Sequence, residues 1–490
     1  MGIKAVLSNR KFKFGSLATI ITVVFIAAVI IINIIASILT SSFTLKYDLT
    51  TEKMYEVDAG TINFLKDIDD EVTINILSSE STFISSLSGL GAEYAKQLEM
   101  LFSKINSTTS KVTIKYIDLT NDPTFGRKYP DESISDGNII IQGKIRYKYV
   151  LVADMYNLET DNYGQPVGIA SSKAEQVIMN GIQSAMMDEV PVVSILSGHG
   201  EASSADVETL LKENNFETQT VDLLTKEIDQ ASQFVIINAP SKDYTENDIK
   251  KIEKYLDNDG KKGKNLYVTF GAEQPALPNL ETFLSEWGIK VSPDLAYETD
   301  TNNMIPGMNG LMFVAQYADE SYSGGLRDPL AIQMRPLELS ESVGTSSRKT
   351  SAILNTSTSA VVMPADPPED WDASKGTKKQ LTLIAKSEDM TYEGTDPLVS
   401  AVFVSGSDYF TSSQIASYYP VGNQDLVVNM FDSASSKEGT LLSIRSKTAA
   451  ENVLETTITE FYVVLILCII IIPIIFIVLA IVVYIRRRHL

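Results

Sequence analysis

Two uncharged apolar stretches, one near each end of the chain, constrain its architecture more than any other feature. Residues 16–39 (SLATIITVVFIAAVIIINIIASIL) contain no charged side chain. At the helical rise they would extend roughly 36 Å, more than the roughly 30 Å hydrocarbon core of a bilayer. Residues 461–485 (FYVVLILCIIIIPIIFIVLAIVVYI) are of the same kind and include Pro473, which a membrane helix tolerates where neighbours satisfy the freed carbonyl. Both are expected to be transmembrane helices. A cleaved signal peptide is the competing account of the first, but its apolar core exceeds the usual roughly 7 to 15 residues and no clear A-x-A site follows it.

The flanks set the orientation. Lys4, Arg10, Lys11 and Lys13 precede the first stretch and Arg486, Arg487 and Arg488 follow the second, with no acidic residue at either end. Residues 1–15 and the basic tail 486–490 are therefore expected to be cytoplasmic, with everything between the two spans outside. Asn33 and Ser37 lie one helical turn apart, and Thr40 continues their row. They offer a small, polar face for docking on another membrane helix; the alternative is that they sit near the interface at little cost.

Across all 490 residues, 62 acidic side chains outnumber 41 basic ones, giving a formal charge of -21. The length suits two or three domains, and the sign of the charge argues against nucleic acid as a partner. The single cysteine, Cys468, lies inside the second apolar stretch. Intramolecular disulfides, cysteine metal clusters and a thiol nucleophile in the polar part are thereby excluded.

Between the spans, periodicity points to α/β domains. Residues 45–161 read as a helix after Asp58, a strand (EVTINIL), a helix (AEYAKQLEMLFSKI), a strand (KVTIKYIDL) and a hairpin around Gly143. This is a thioredoxin-like arrangement without the C-x-x-C of a redox protein. Residues 171–435 alternate helices with unbroken apolar runs, VPVVSIL, QFVIINAP and KNLYVTFG, which suit parallel strands covered on both faces. A doubly wound, flavodoxin-like domain is expected, interrupted by an irregular insertion at about 299–379 and followed by a polar stalk at 441–460.

In such a sheet, ligands bind beyond the carboxyl ends of the strands. The turn SGHGE, Ser197, Gly198, His199, Gly200 and Glu201, ends one apolar run and is the candidate ligand crevice. The competing account is a tight glycine turn in which Glu201 opens the next helix and His199 merely bonds a neighbouring loop. Acid–base catalysis would also need a partner that the sequence does not reveal. One histidine and no cysteine between the spans make a zinc site untenable, and neither a G-x-S-x-G elbow nor a Walker A pattern is present. No catalytic residue, cofactor or metal ligand is therefore expected. VTFGAEQP stands where amidotransferase-like folds carry a cysteine nucleophile, but it contains no thiol.

The order YDLTTEKMYEVDAGTINFLKDIDDEVTI, SILSGHGE, PNLETFLSEWGIKV and LLSIRSK, framed by the two apolar stretches, resembles the GldG-type family over nearly the whole chain. These are auxiliary components of ABC-2-type transport systems, first associated with gliding motility. The resemblance implies a two-pass protein of the bacterial cytoplasmic (inner) membrane with an extracytoplasmic amidotransferase-like domain lacking the nucleophile. It also implies an ABC-2-type permease and a separate cytoplasmic ABC ATPase as partners. The expected function is that of a non-enzymatic, membrane-anchored accessory subunit contacting the lipid bilayer and a cell-envelope ligand. The rival is an anchored hydrolase or carbohydrate-binding protein using the crevice near His199.

Overall fold

The computed structural model describes residues 53–434 apart from 131, 161–165, 324–325, 341–347, 395 and 420, together with residues 27, 30, 31, 447, 478 and 485. The chain divides into two units, Met1–Glu56 with Ala450–Leu490, and Val57–Ala449. Every element below belongs to the second.

Helix α1 (Ala59–Asp67) begins where the Asp58 carboxylate accepts a hydrogen bond from the Gly60 N–H at 2.7 Å. Strand β1 (Val72–Ile76), helices α2 (Glu80–Leu90) and α3 (Ala92–Thr108) and strand β2 (Val112–Tyr116) follow, and then a hairpin of β3 (Ile139–Gln142) and β4 (Tyr147–Val150). They form a four-stranded sheet in the order β2-β1-β3-β4, with β1 and β2 parallel and the other pairings antiparallel. On α3, Tyr94, Leu98, Leu101, Phe102 and Ile105 recur at helical spacing and are buried. A second hairpin, β5 (Tyr156–Thr160) and β6 (Pro166–Ser172), leads into α4 (Ala174–Met186). Helix α4 packs closely on the first sheet: a Cβ on Gly143 would overlap the Ala185 carbonyl, and one on Gly181 would meet the Ile141 side chain.

The larger sheet starts with β7 (Val192–Ser197), α5 (Ala205–Glu213), β8 (Glu217–Asp222), β9 (Phe234–Asn238), α6 (Glu246–Asp257), β10 (Asn265–Thr269) and α7 (Pro278–Glu286). Further strands follow, all short except β17: β11 (Ile289–Val291), β12 (Leu295–Tyr297), β13 (Met312–Val314), β14 (Gln316–Tyr317), β15 (Leu330–Ile332), β16 (Leu337–Leu339), β17 (Arg348–Asn355) and β18 (Val361–Met363). The long pair β19 (Thr382–Glu393) and β20 (Asp396–Ser405) comes next, then α8 (Ser413–Tyr418) and α9 (Asn423–Ala434). Strands β8, β7, β9, β10 and β20 lie side by side and parallel. Beyond β20 the sheet turns antiparallel through β19 to β16, β17, β14 and β11, making ten strands in all. On β9, Phe234 and Ile236 pack with Leu210 and Leu211 of α5 and Phe431 of α9, whereas Val235 and Ile237 pack with Ile252 of α6 and Phe283 of α7.

The doubly wound expectation is thus corrected to a mixed sheet. Strand β19 joins β20 through a tight hairpin rather than a helical crossover, and only antiparallel neighbours can be joined in that way. The membrane-anchored, two-span architecture is corrected as well, and with it the two-pass inner-membrane location with cytoplasmic termini. Among the described residues, no helix is long and apolar enough to cross a membrane. A spanning helix needs about 20 consecutive apolar residues, whereas the longest described helix, α3, has 17 and carries Glu93, Lys96, Glu99 and Lys104. The stretches 16–39 and 461–485 lie outside the described residues except for Ala27, Ile30, Ile31, Val478 and Ile485.

Within the segment 441–460 only Lys447 is described, and it is buried. Its backbone forms an antiparallel bridge with Ser172, and its ammonium lies 2.6 Å from Glu175 Oε2. Glu175 Oε1 in turn accepts the Asp58 N–H at 2.8 Å. The two side chains of this ion pair are only 10% and 6% exposed. Removing one partner strands a buried charge, so Glu175→Gln should destabilise the protein by about 3–5 kcal/mol, whereas Glu175→Leu with Lys447→Met should recover most of that loss. Urea unfolding of the two variants checks this, and a Glu175→Gln cost below about 1 kcal/mol would place the pair among weak surface bridges.

Candidate functional site

The carboxyl ends of β7 and β9, where the parallel strand order reverses, are the position at which α/β sheets open a crevice. Here the SGHGE turn comes together as a unit. Gly198 and Gly200 adopt φ of +116° and +66°, conformations that favour glycine, and a Cβ on Gly200 would overlap the Ser241 hydroxyl. The loop after β9 closes against this turn: Lys242 N–H donates to the His199 carbonyl at 2.9 Å and Ser241 N–H to the Gly200 carbonyl at 3.1 Å. Asn238, at the end of β9, donates through Nδ2 to the Ser203 carbonyl at 2.9 Å.

His199 is 3% exposed. Its ring stacks on Tyr244 with centroids 3.9 Å apart, and its Nε2 lies 3.3 Å from Asp248 Oδ2. Asp248 is also the third residue of α6 and forms a capping box with Thr245, whose hydroxyl donates to the same Oδ2 at 2.6 Å. Burial pushes the Asp248 carboxyl up, but the hydrogen bonds from Thr245, and then the neighbouring His199, outweigh it and hold the group below its ordinary value. An ionised carboxylate only accepts, which makes Nε2 the protonated ring nitrogen. Glu201 turns back on the same loop, accepting the His199 N–H at 2.9 Å and the Tyr244 hydroxyl at 2.9 Å. Burial, and secondarily the Glu201 charge, pushes the Tyr244 phenol well above its ordinary value. His199 Nδ1, 3.7 Å from Glu201 Oε1, is buried without a hydrogen bond.

The set fastens the β7 turn to the start of α6. A general base must reach a substrate proton, and here one ring nitrogen is engaged by Asp248 while the other faces a buried carboxylate. Among the described residues, no group of three or more His, Cys, Asp or Glu side chains is placed to hold a metal ion. Asn33 and Ser37, the expected docking pair, lie outside the described residues.

A second polar cluster lies two strands away, where sequence inspection saw only the missing thiol of VTFGAEQP. Gln274, in the turn after β10, accepts the Gly271 N–H through Oε1 at 2.8 Å, and its Nε2 is buried without a partner. Asp408, just after β20, has a buried Oδ1 without a partner. Burial pushes its carboxyl above the ordinary value against the pull of nearby backbone N–H groups. Arg335, 5% exposed, donates through Nη2 to the carbonyls of Gln274 at 2.6 Å and Ala272 at 3.2 Å, while its Nε has no acceptor. A polar group closing each apolar strand is a sequence signal for Gln274 and Asp408; nothing in the sequence ties Arg335 to them.

No protein-family model matches this chain. No curated protein matches it either. Among solved structures, the mmIFT52 N-terminal domain is 15% identical with a TM-score of 0.37, covering 50% of this chain and 98% of that one. The structure of PurLQS from Thermotoga maritima is 10% identical with a TM-score of 0.23, covering 50% of this chain and 99% of the other. At these scores neither likeness bears on fold or function.

The depressed Asp248 value links this site to acid stability. A carboxylate whose folded value lies below its unfolded one stabilises the protein above the ordinary carboxylate range, and that contribution is lost as pH falls through the folded value. The urea midpoint of the wild type should therefore fall more steeply below about pH 4 than that of Asp248→Asn; parallel curves would show that Asp248 is not the linked group.

Proposed function

We propose that this chain is a non-enzymatic binding subunit that works beside a separate ABC-type permease and its cytoplasmic ATPase, with the α/β body engaging a small solute or an envelope component. The observation that carries the non-enzymatic half is the confinement of His199 between Tyr244, Glu201 and Asp248. The one histidine available for acid–base work in the body is committed to holding two loops together.

The transport half rests on the GldG-type resemblance. Its signature segments have structural tasks here: SGHGE forms the turn at the carboxyl end of β7, PNLETFLSEWGIKV folds into α7 and β11, and Lys447 of LLSIRSK pairs with Glu175. Such a signature suits a recognition scaffold better than a reaction centre. No observation favours the hydrolase alternative.

Affinity purification of the tagged chain in mild detergent from the cells that produce it, followed by mass spectrometry, should recover an ABC ATPase and a permease in a fixed ratio. A chain recovered alone would remove the transport assignment. As a second check, His199→Asn, once shown to be folded, should retain the association, because the ring is assigned no chemistry.

A further inference from the structure

We propose that Asn309 is a site of spontaneous covalent modification, at which its side-chain amide is converted through a cyclic imide with Gly310 into aspartate and isoaspartate. The Gly310 nitrogen gives up its proton to water or hydroxide and attacks Asn309 Cγ. An N–Cγ bond forms, and the bond from Cγ to the amide nitrogen breaks with loss of ammonia. One water then opens the five-membered imide, at the Cγ carbonyl to give aspartate or at the main-chain carbonyl to give isoaspartate. No other reactant is needed.

Asparagine or aspartate precedes glycine at four places: Asp136–Gly137, Asn180–Gly181, Asp259–Gly260 and Asn309–Gly310. Glycine leaves ring closure unhindered at each of them, so the fold decides among them by what it does with the glycine N–H. Gly137 N–H donates to the Leu77 carbonyl at 2.8 Å, and Gly260 N–H to Asp257 Oδ2 at 3.0 Å. Gly181 lies inside α4, where its N–H belongs to the helical ladder, and Asn180 is only 4% exposed. Gly310 N–H, by contrast, has no hydrogen-bond partner among the described residues.

Asn309 is exposed, and its Oδ1 accepts the Leu311 N–H at 3.1 Å. That bond folds the side chain over the Gly310 peptide and draws electron density from Cγ, so the carbon to be attacked is kept beside the attacking nitrogen. The Met312 N–H closes the same turn on the Asn309 carbonyl at 3.1 Å. Gly310 is held against the fold: its carbonyl accepts the Glu298 N–H at 2.8 Å, and a Cβ on it would overlap the Glu298 carbonyl and the Tyr297 ring. The aspartyl product keeps the backbone and the Leu311 bond. The isoaspartyl product lengthens the main chain by one carbon just before Gly310, which this close fit does not accommodate.

The two asparagine sites share the tripeptide Met-Asn-Gly, at 179–181 and 308–310, so each is the control for the other. The full chain is aged in mildly alkaline buffer and digested, and peptide mass spectrometry with fragmentation that separates aspartate from isoaspartate follows both sites. In the folded protein Asn309 should convert at least about tenfold faster than Asn180, the cost of a hydrogen bond that must first be broken. In concentrated urea, which frees both glycines, the two rates should converge. Both products should appear together at position 309, each with one oxygen from labelled water. Asn309→Asp should melt with the wild type, and the isoaspartyl fraction should melt lower. An unconverted Asn309, equal rates at the two sites in the folded chain, or a rate ratio unchanged by urea would overturn the assignment, because the fold would not be selecting the site. Aspartate without isoaspartate would overturn the imide route, and an isoaspartyl fraction that melts with the wild type would overturn the structural consequence.

Discussion

The structure depends on covering the parallel strands on both faces. Every residue of β9 and of β10 is buried, and alternate residues of β9 serve two separate cores, one under α5 and α9 and the other under α6 and α7. Full burial of such side chains contributes roughly 1.5–3 kcal/mol each. That drive leaves register underdetermined, because a strand apolar on both faces loses little by slipping one residue. Buried polar residues in and beside the strands supply what the apolar ones cannot. Thr269 donates to Asn238 Oδ1 at 2.7 Å across the β9–β10 pair, in which those two residues stand opposite each other. Ser194 and Ser232 meet at 2.6 Å. A shift of one residue would break these bonds inside the core, where unpaired polar groups are expensive.

The same constraint moves chemistry to the rim. Side chains within the strands are committed to packing, so the polar groups of the turns after β7, β9, β10 and β20 are the ones available for other work. At β7 and β9 those groups bond one another, His199 Nδ1 excepted. At β10 and β20, the last parallel pair before the sheet turns antiparallel at β19, Gln274, Asp408 and Arg335 retain unmet bonds. Two neighbouring parts of one rim thus differ in how far their polar groups are spent on the fold.

How much of this was legible follows from the range of the interactions. The runs VPVVSIL, QFVIINAP and KNLYVTFG announce central strands through composition alone, and Thr245 with Asp248 announces the start of α6. Strand β19 was not legible, because Lys386, Glu388 and Asp389 interrupt its apolar pattern. The structure accommodates them by pairing Lys386 with Glu388, and Asp389 with Lys262 and Arg348. Lys262 is 127 positions from Asp389, and no local pattern carries that information. SGHGE was legible as a turn at a strand end, whereas the partners that decide what His199 does, Tyr244 and Asp248, lie on a different loop and helix. The sheet's antiparallel half was hidden for a further reason. Strands β11, β14 and β16 of that half have only two or three residues each, too few for a period of two to stand out from a loop.

Glu175 joins the Asp58 amide to the Lys447 ammonium, so the chain comes into this body and departs from it at a single carboxylate. Nearly four hundred residues of sequence separate two points that share one hydrogen-bonding group. Topologically, the segment between them is a cassette: it could be spliced into a surface turn of an unrelated protein without stretching either side of the host, as inserted domains with adjoining ends are.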